Sequence, residues 1–223
     1  MLQSSTIKFL KDLKKNNNKL WFDKNRKAYE AAKADYAGFI QKVIDQHGKK
    51  DTSIKTLVAK DCMFRINRDV RFAKDKSPYK SNFGASINKS GRKAENSAGY
   101  YFHLEPGSVF TGGGIWMPMP EELKKVRQEI DYNFTDFKKI IASKKFKSVY
   151  GDLSTSTEYK LRRVPKGYEA DNPAAEYLKL KSFVAIVSLK DADLTSKDLI
   201  KKTVAAFEAL QPLIEFINNG IKE

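Results

Sequence analysis

Six cationic side chains, Arg65, Arg68, Arg71, Lys74, Lys76 and Lys80, stand in the stretch RINRDVRFAKDKSPYKSNF (65–83), interrupted by two carboxylates, Asp69 and Asp75. A guanidinium offers paired N–H donors that match phosphate or carboxylate oxygens, and a nearby lysine adds point charge. The stretch therefore suits recognition of an anion. Arg68, Arg71, Lys76 and Lys80 would make the contacts, Asp69 and Asp75 would orient them, and Tyr79 would supply a wall or a hydrogen bond. Lys166, in VPKGY, is a further cation on turn-forming sequence. The same residues also describe an Arg/Asp ion-pair network that pins a loop to a sheet, because structural networks resemble binding sites.

The backbone under these side chains has two readings. As one strand over 62–72, alternation puts Arg68 on the apolar face with Cys62, Phe64, Ile66, Val70 and Phe72. A guanidinium buried there needs an anionic partner, since breaking a buried pair costs roughly 3–5 kcal/mol. If Asn67-Arg68-Asp69 interrupts the strand, alternation resets and the arginines converge. The following AKDKSPYK is turn chemistry: Asp75 can cap its own backbone, and Ser77-Pro78 favours an extended-then-turn path.

A second group lies in GYYFHLE, where strand alternation puts Tyr101, His103 and Glu105 on one face. His103 beside Glu105 is a possible acid–base pair, or a histidine hydrogen-bonded on a polar sheet face. His47, at the end of a helical stretch, complements the helix dipole. Two histidines and one cysteine cannot assemble HExxH or a multi-thiolate zinc site, so no metal is assigned. Cys62 reads as a small core residue in an apolar strand rather than a nucleophile. GASINKSG (84–91) lacks the glycine that precedes the lysine of a phosphate loop, and neither GxGxxG on a strand nor GxSxG occurs. No cofactor is indicated. Gly112-Gly113-Gly114 marks a hairpin turn, a bulge or an anion nest where backbone approaches something closely.

The elements that position these groups follow from periodicity. Ser4 and Ser5 are N-cap candidates for a first helix burying Phe9, Leu10 and Leu13, ended by Asn16–Asn18. Apolar recurrence from Phe22 to Ile44 predicts one long helix over 21–47. CMFRI, FGASI, GYYFHLE and SVFTGGGIWM are short β-rich runs of a mostly antiparallel meander. Helical sequence returns after Pro120 and continues past Phe134, then a loop-rich section leads to a short helix at AAEYLKLK. SFVAIVSL, apolar throughout, predicts a central strand. A last helix from about Ser196 follows, with Pro212 kinking or dividing it. The expectation is one α+β domain over 1–223, a mostly antiparallel central sheet flanked by N-terminal and C-terminal helices.

The formal charge is +15, which attracts polyanions in a salt-dependent way without naming one, and lysines scattered on helix faces account for much of it. No apolar run is long enough for a membrane span, and the single cysteine fits a reducing compartment, so a soluble, cytoplasmic protein is expected.

Five segments taken in order, NNNKLWFDKNRKAYE, FRINRDVRFAKDKSPYKSNF, GYYFHLEPG, GGGIWMP and LRRVPKGYEADNPAAEYLKLKSF, resemble the bacterial and fungal family catalogued as domain of unknown function 2461. RDxRFxKDKSPYK is the most specific of its motifs. Asn67 is the departure, at a position where the family pattern leads one to expect an aromatic. The resemblance implies one compact α+β domain and brings no activity, cofactor or substrate with it.

Three functions are therefore carried forward. The first is binding of a phosphate-bearing small ligand by the Arg/Lys cluster. The second is a nucleic-acid-binding module using Tyr79 and Phe83 as stacking aromatics among the cations. The third is a structural or partner-binding protein with no small ligand.

Overall fold

A computed structural model describes residues 1–222 except 90, 94–95 and 157–158. Ser90 of the Lys89-Ser90 pair, and two residues of the loop-rich section, thus lie outside the described residues. The fold is α+β, with a four-stranded antiparallel sheet in the order β1 (Phe83–Ile87), β2 (Gly99–Leu104), β3 (Val109–Ile115), β4 (Phe183–Leu189). Helices α1 (Ser4–Lys15), α2 (Lys19–Lys24), α3 (Arg26–His47) and α4 (Ala59–Cys62) precede β1. Between β3 and β4 come α5 (Pro120–Tyr132), α6 (Phe134–Ala142), α7 (Lys144–Tyr150) and α8 (Ala175–Leu178), and α9 (Leu199–Lys222) closes the chain.

The chain divides into two compact units, the first made of residues 1–92, 101–111 and 188–205, the second of 93–100, 112–187 and 206–223. In the first, α1, α2 and α3 bury an aromatic cluster. Phe22 stacks on Tyr79 at 3.9 Å, Tyr36 on Phe83 at 5.3 Å, and Phe39 meets Phe102 edge-on at 4.7 Å. The Tyr36 hydroxyl, fully buried, donates to the Phe102 carbonyl at 3.0 Å, which satisfies that polar atom within apolar packing. In the second unit, Tyr100 stacks on Phe207 at 4.6 Å, and Asn218 pairs both its amide groups with the backbone of Ala98 at 2.8 and 3.1 Å.

Several expectations are corrected. The helix over 21–47 breaks at Asn25, whose side chain takes the Trp21 carbonyl at 2.8 Å and competes with helical bonding. The first helix starts at Ser4 itself, without a serine cap. Its opening turn is held instead by Asp35, which accepts from the Gln3 N–H and the Thr6 hydroxyl at 2.9 and 2.6 Å. CMFRI is not a strand: Cys62 ends α4, buried, and the chain beyond makes only two isolated bridges, Met63 to Ala85 and Asn67 to Tyr79. Burial pushes the Cys62 thiol up to about 11, against any nucleophilic use.

β4 is an edge strand, not a central one. Ile186 on it is largely exposed, and the Ser154 N–H covers its Val184 carbonyl at 2.8 Å, so a loop rather than a strand shields the edge. The three glycines lie inside β3 and not in a turn. A Cβ on Gly112 would meet the Ala185 carbonyl oxygen at 2.1 Å, and one on Gly114, where φ is +117°, the Phe183 oxygen at 2.0 Å. The close approach that the sequence predicted is thus to neighbouring strand backbone. Pro212 sits within an unbroken α9, whose buried Leu210, Leu213, Ile214 and Ile217 hold the turns on either side.

Candidate functional site

The cationic stretch forms a loop whose two ends are laced together. The Arg68 N–H donates to the Pro78 carbonyl at 2.9 Å and the Lys80 N–H to the Ile66 carbonyl at 2.7 Å, bracketing the Asn67–Tyr79 bridge. Asn17, from the turn between α1 and α2, completes the base of the loop: its side-chain amide donates to the Tyr79 carbonyl at 2.8 Å and accepts the Tyr79 N–H at 3.1 Å. A side-chain amide here does what a paired strand would do. The Tyr79 ring is 7% exposed and belongs to the aromatic core, so its surroundings are apolar packing.

Within the loop, short-range chemistry fixes the path. Asp75 accepts from the Ser77 N–H at 2.9 Å and its hydroxyl at 2.6 Å, the cap expected from DKS, and its other oxygen pairs with Arg68. Those two bonds from Ser77, with the Arg68 guanidinium, hold the Asp75 carboxyl down at about 2. Asp69 grips Arg71 through two parallel bonds, Nε at 3.0 Å and Nη2 at 2.7 Å, and this keeps its carboxyl below the usual range. The Lys76 ammonium donates to the Val70 carbonyl at 3.0 Å. Arg68 is therefore partly exposed against a carboxylate, rather than buried on an apolar strand face as the uninterrupted-strand reading has it.

Three cations of the stretch, Arg65, Lys74 and Lys80, stand apart from this pairing. Arg65 and Lys74 make no ion pair among the described residues. The Lys80 ammonium lies 5.6 Å over the Phe64 ring, half-buried, and its acidity is raised by burial first and then by the like charge of Arg65. Lys80 thus makes no ion pair among the described residues and feels the like charge of Arg65, whose nearby carboxylate, Asp69, is already held by Arg71. Sequence reading counted Arg65 in the cationic stretch but did not assign it to the anion contacts. Its spacing from the two aspartates was the available signal, since each already serves an arginine closer by.

Tyr101, His103 and Glu105 line up as alternation predicted. The His103 Nε2 lies 3.5 Å from one Glu105 oxygen and its Nδ1 3.0 Å from the Tyr101 hydroxyl, and its ring stacks on Phe110 at 4.6 Å. A carboxylate can only accept, so Nε2 carries the hydrogen and Nδ1 accepts from Tyr101. The second Glu105 oxygen takes the Lys14 ammonium at 3.1 Å and the Ser81 hydroxyl at 3.0 Å. Burial lowers the His103 pKa despite Glu105, and pushes the Tyr101 phenol up to about 12. Burial would raise Glu105, but Lys14 and Ser81 outweigh it and bring the carboxyl below its usual range.

Ser81 adjoins Lys80, so this network anchors the exit of the cationic loop. Lys14 also lines a cavity of about 300 Å³ with Leu10, Lys11, Lys15, Pro106, Gly107 and Asp191, which includes no residue of the loop.

Lys166 belongs to the second unit. It is exposed in a turn closed by the Tyr168 N–H on the Pro165 carbonyl at 3.2 Å, with Gly167 at φ +96° in the position that demands glycine. Phe83, expected as a stacking surface, is 2% exposed and packs on Tyr36. The aromatics that do reach solvent in and beside the loop are Phe72, 95% exposed, and Phe64, 40% exposed. Among the described residues no three His, Cys, Asp or Glu side chains group as a metal site requires, and no helix is long and apolar enough to cross a membrane.

A family model described as conserved hypothetical protein (DUF2461) matches residues 5–216, nearly the whole chain. No curated protein and no solved structure matches it.

Proposed function

The chain belongs to the conserved hypothetical protein family DUF2461, and from the geometry of its cationic loop we propose that it binds a phosphate-bearing anion there. The observation that carries this reading is the half-buried Lys80 ammonium, held over the Phe64 ring with no ion pair among the described residues and with like-charged Arg65 in the same loop. An anion beside Lys80 relieves both the repulsion and the lost hydration. Arg68 and Arg71 keep their aspartates and contribute remaining N–H donors, so Asp69 and Asp75 set the loop's shape. Lys76 and Lys74 add charge at the rim. Tyr79 acts from beneath, as the buried post on which the loop stands. Lys166, exposed on the second unit, is retained as a separate anion-contacting cation of that unit.

For His103 and Glu105 we propose a supporting role, fixing Ser81 next to Lys80. The acid–base reading of the pair rests on the same Tyr101–His103–Glu105 geometry and would give anion turnover a bell-shaped pH profile. We take residues 1–223 as one folding domain, since β2, β3, β4 and α9 each contribute residues to both units, and the cytoplasm as its compartment, since the only thiol is buried and free.

Calorimetric titration with inorganic polyphosphate at low ionic strength tests the binding reading. Binding that weakens as salt rises, and that is lost in Arg65→Ala and Lys80→Ala, is the expected result. Unchanged affinity in both variants would place the anion elsewhere and leave the loop as scaffold, the third of the functions considered.

A further inference from the structure

Resting on that reading of the loop as a phosphate site, we infer that its ligand is single-stranded polynucleotide, with a base stacked on Phe72. Phe72 is 95% exposed on a loop rich in cations, so its ring is open to a flat partner that carries negative charge. Its neighbours hold it outward. Arg71, gripped by Asp69, lies 5.9 Å from the ring centroid, and Asp75, Ser77 and the Lys76–Val70 bond fix the loop beyond it. An aromatic on a loop stiffened by its own side chains loses little entropy when a flat group settles on it.

Charge favours a polymer of phosphates. Unpaired Arg65 and Lys74, with half-buried Lys80, stand in the same stretch as Phe72, and the second exposed aromatic, Phe64, carries the Lys80 ammonium over its face. Aromatic faces interleaved with cations bind single strands without regard to sequence, since every base offers a π-face. A duplex hides those faces in its stack, so only its backbone would be left to bind. A membrane surface fits less well. Asp69 and Asp75 flank Phe72 and both stay ionised, so inserting the ring would bring two charged carboxylates to the edge of the acyl layer, a desolvation cost that a base stacking from water does not impose.

Fluorescence anisotropy at low salt tests this with a labelled thymidine oligonucleotide, an abasic phosphodiester of equal length, a duplex, and phosphatidylserine vesicles. The intact protein is expected to bind the oligonucleotide more tightly than the abasic strand or the duplex. Phe72→Ala and Phe72→Leu should each weaken oligonucleotide binding about 5- to 150-fold, the worth of one stacked base, and leave abasic binding unchanged. The leucine variant separates stacking from mere hydrophobicity.

Equal affinity for the abasic and thymidine strands, or full affinity in Phe72→Leu, overturns the inference while the anion site stands. Phe72-dependent binding to vesicles without binding to the oligonucleotide overturns it in favour of a lipid surface. If neither phosphodiester nor inorganic polyphosphate binds, the inference and the anion reading fail together.

Discussion

The cationic loop and the Tyr101–His103–Glu105 network are both built from titratable side chains, yet they are held in opposite ways. The loop is stabilised almost wholly by itself: Asp69 with Arg71, Asp75 with Ser77 and Arg68, Lys76 with Val70, all within seven residues of one another and open to water. The network is largely buried, and its carboxylate is secured by Lys14, 91 residues away, and Ser81, 24 away. Exposed local pairs organise a shape and add little stability, whereas a half-buried carboxylate with three partners ties distant segments together. Charge density alone therefore does not mark where a fold is stabilised. It marks, in the loop, a surface whose shape is set and whose charge is only partly spent.

Substitutions that separate the two regions should rank accordingly. Tyr79→Ala should have the largest effect, about 3–5 kcal/mol by urea denaturation, because the ring beneath the loop is packed on Phe22. A loss below ~1 kcal/mol would mean that the loop and core are not joined there. Next, Glu105→Ala leaves Lys14, Ser81 and His103 without their acceptor and should cost about 2–3 kcal/mol.

Acid should act on the network before the loop. His103 faces Tyr101 and Glu105 from β2 and Phe110 from β3, with Lys14 and Ser81 behind Glu105, and its folded pKa lies below its ordinary 6.5. The unfolded chain then takes the proton first, so stability is full above about pH 6.5 and declines as pH falls from there toward the lower folded value. Glu105, also lowered from 4.5 in the fold, adds a further loss below that pH. A His103→Gln variant should flatten the upper part of that decline, and an unchanged profile would remove His103 from the account. The smallest structural effect belongs to Arg71→Ala, fully exposed with its aspartate. The melting temperature should stay unchanged while polyphosphate binding weakens, and a shift in melting temperature without a binding defect would make the pair scaffold only.

What could be read in the sequence was local. Alternation in GYYFHLE placed Tyr101, His103 and Glu105 together, and Asp75-Lys76-Ser77 announced its own cap, because both depend on spacings of two to four residues. The strand expected over 62–72 had the right period but no partner to pair with beyond Ala85 and Tyr79, so a period-2 pattern ended as two bridges. An apolar run could not tell the edge position of β4 from a central one, since a loop segment at Ser154 supplies the cover that a fifth strand would. The Lys14–Glu105 contact was out of reach because it joins residues 91 apart, and Arg65's lack of an ion pair was signalled only by the arginines that Asp69 and Asp75 already hold. Tyr79 and Phe83 looked like surface aromatics among cations, and only the packing of α2 and α3 shows them buried, with Phe72 left outside.

The central proposal is that the half-buried Lys80 ammonium, without an ion pair among the described residues and repelled by Arg65, takes up an anion. Following the Lys80 ammonium by NMR as a function of pH measures this directly. The account predicts an apparent pKa below the ordinary lysine value in the free protein, rising when Arg65 is replaced by alanine and rising when polyphosphate is added. An ordinary lysine titration, indifferent to both changes, would contradict it.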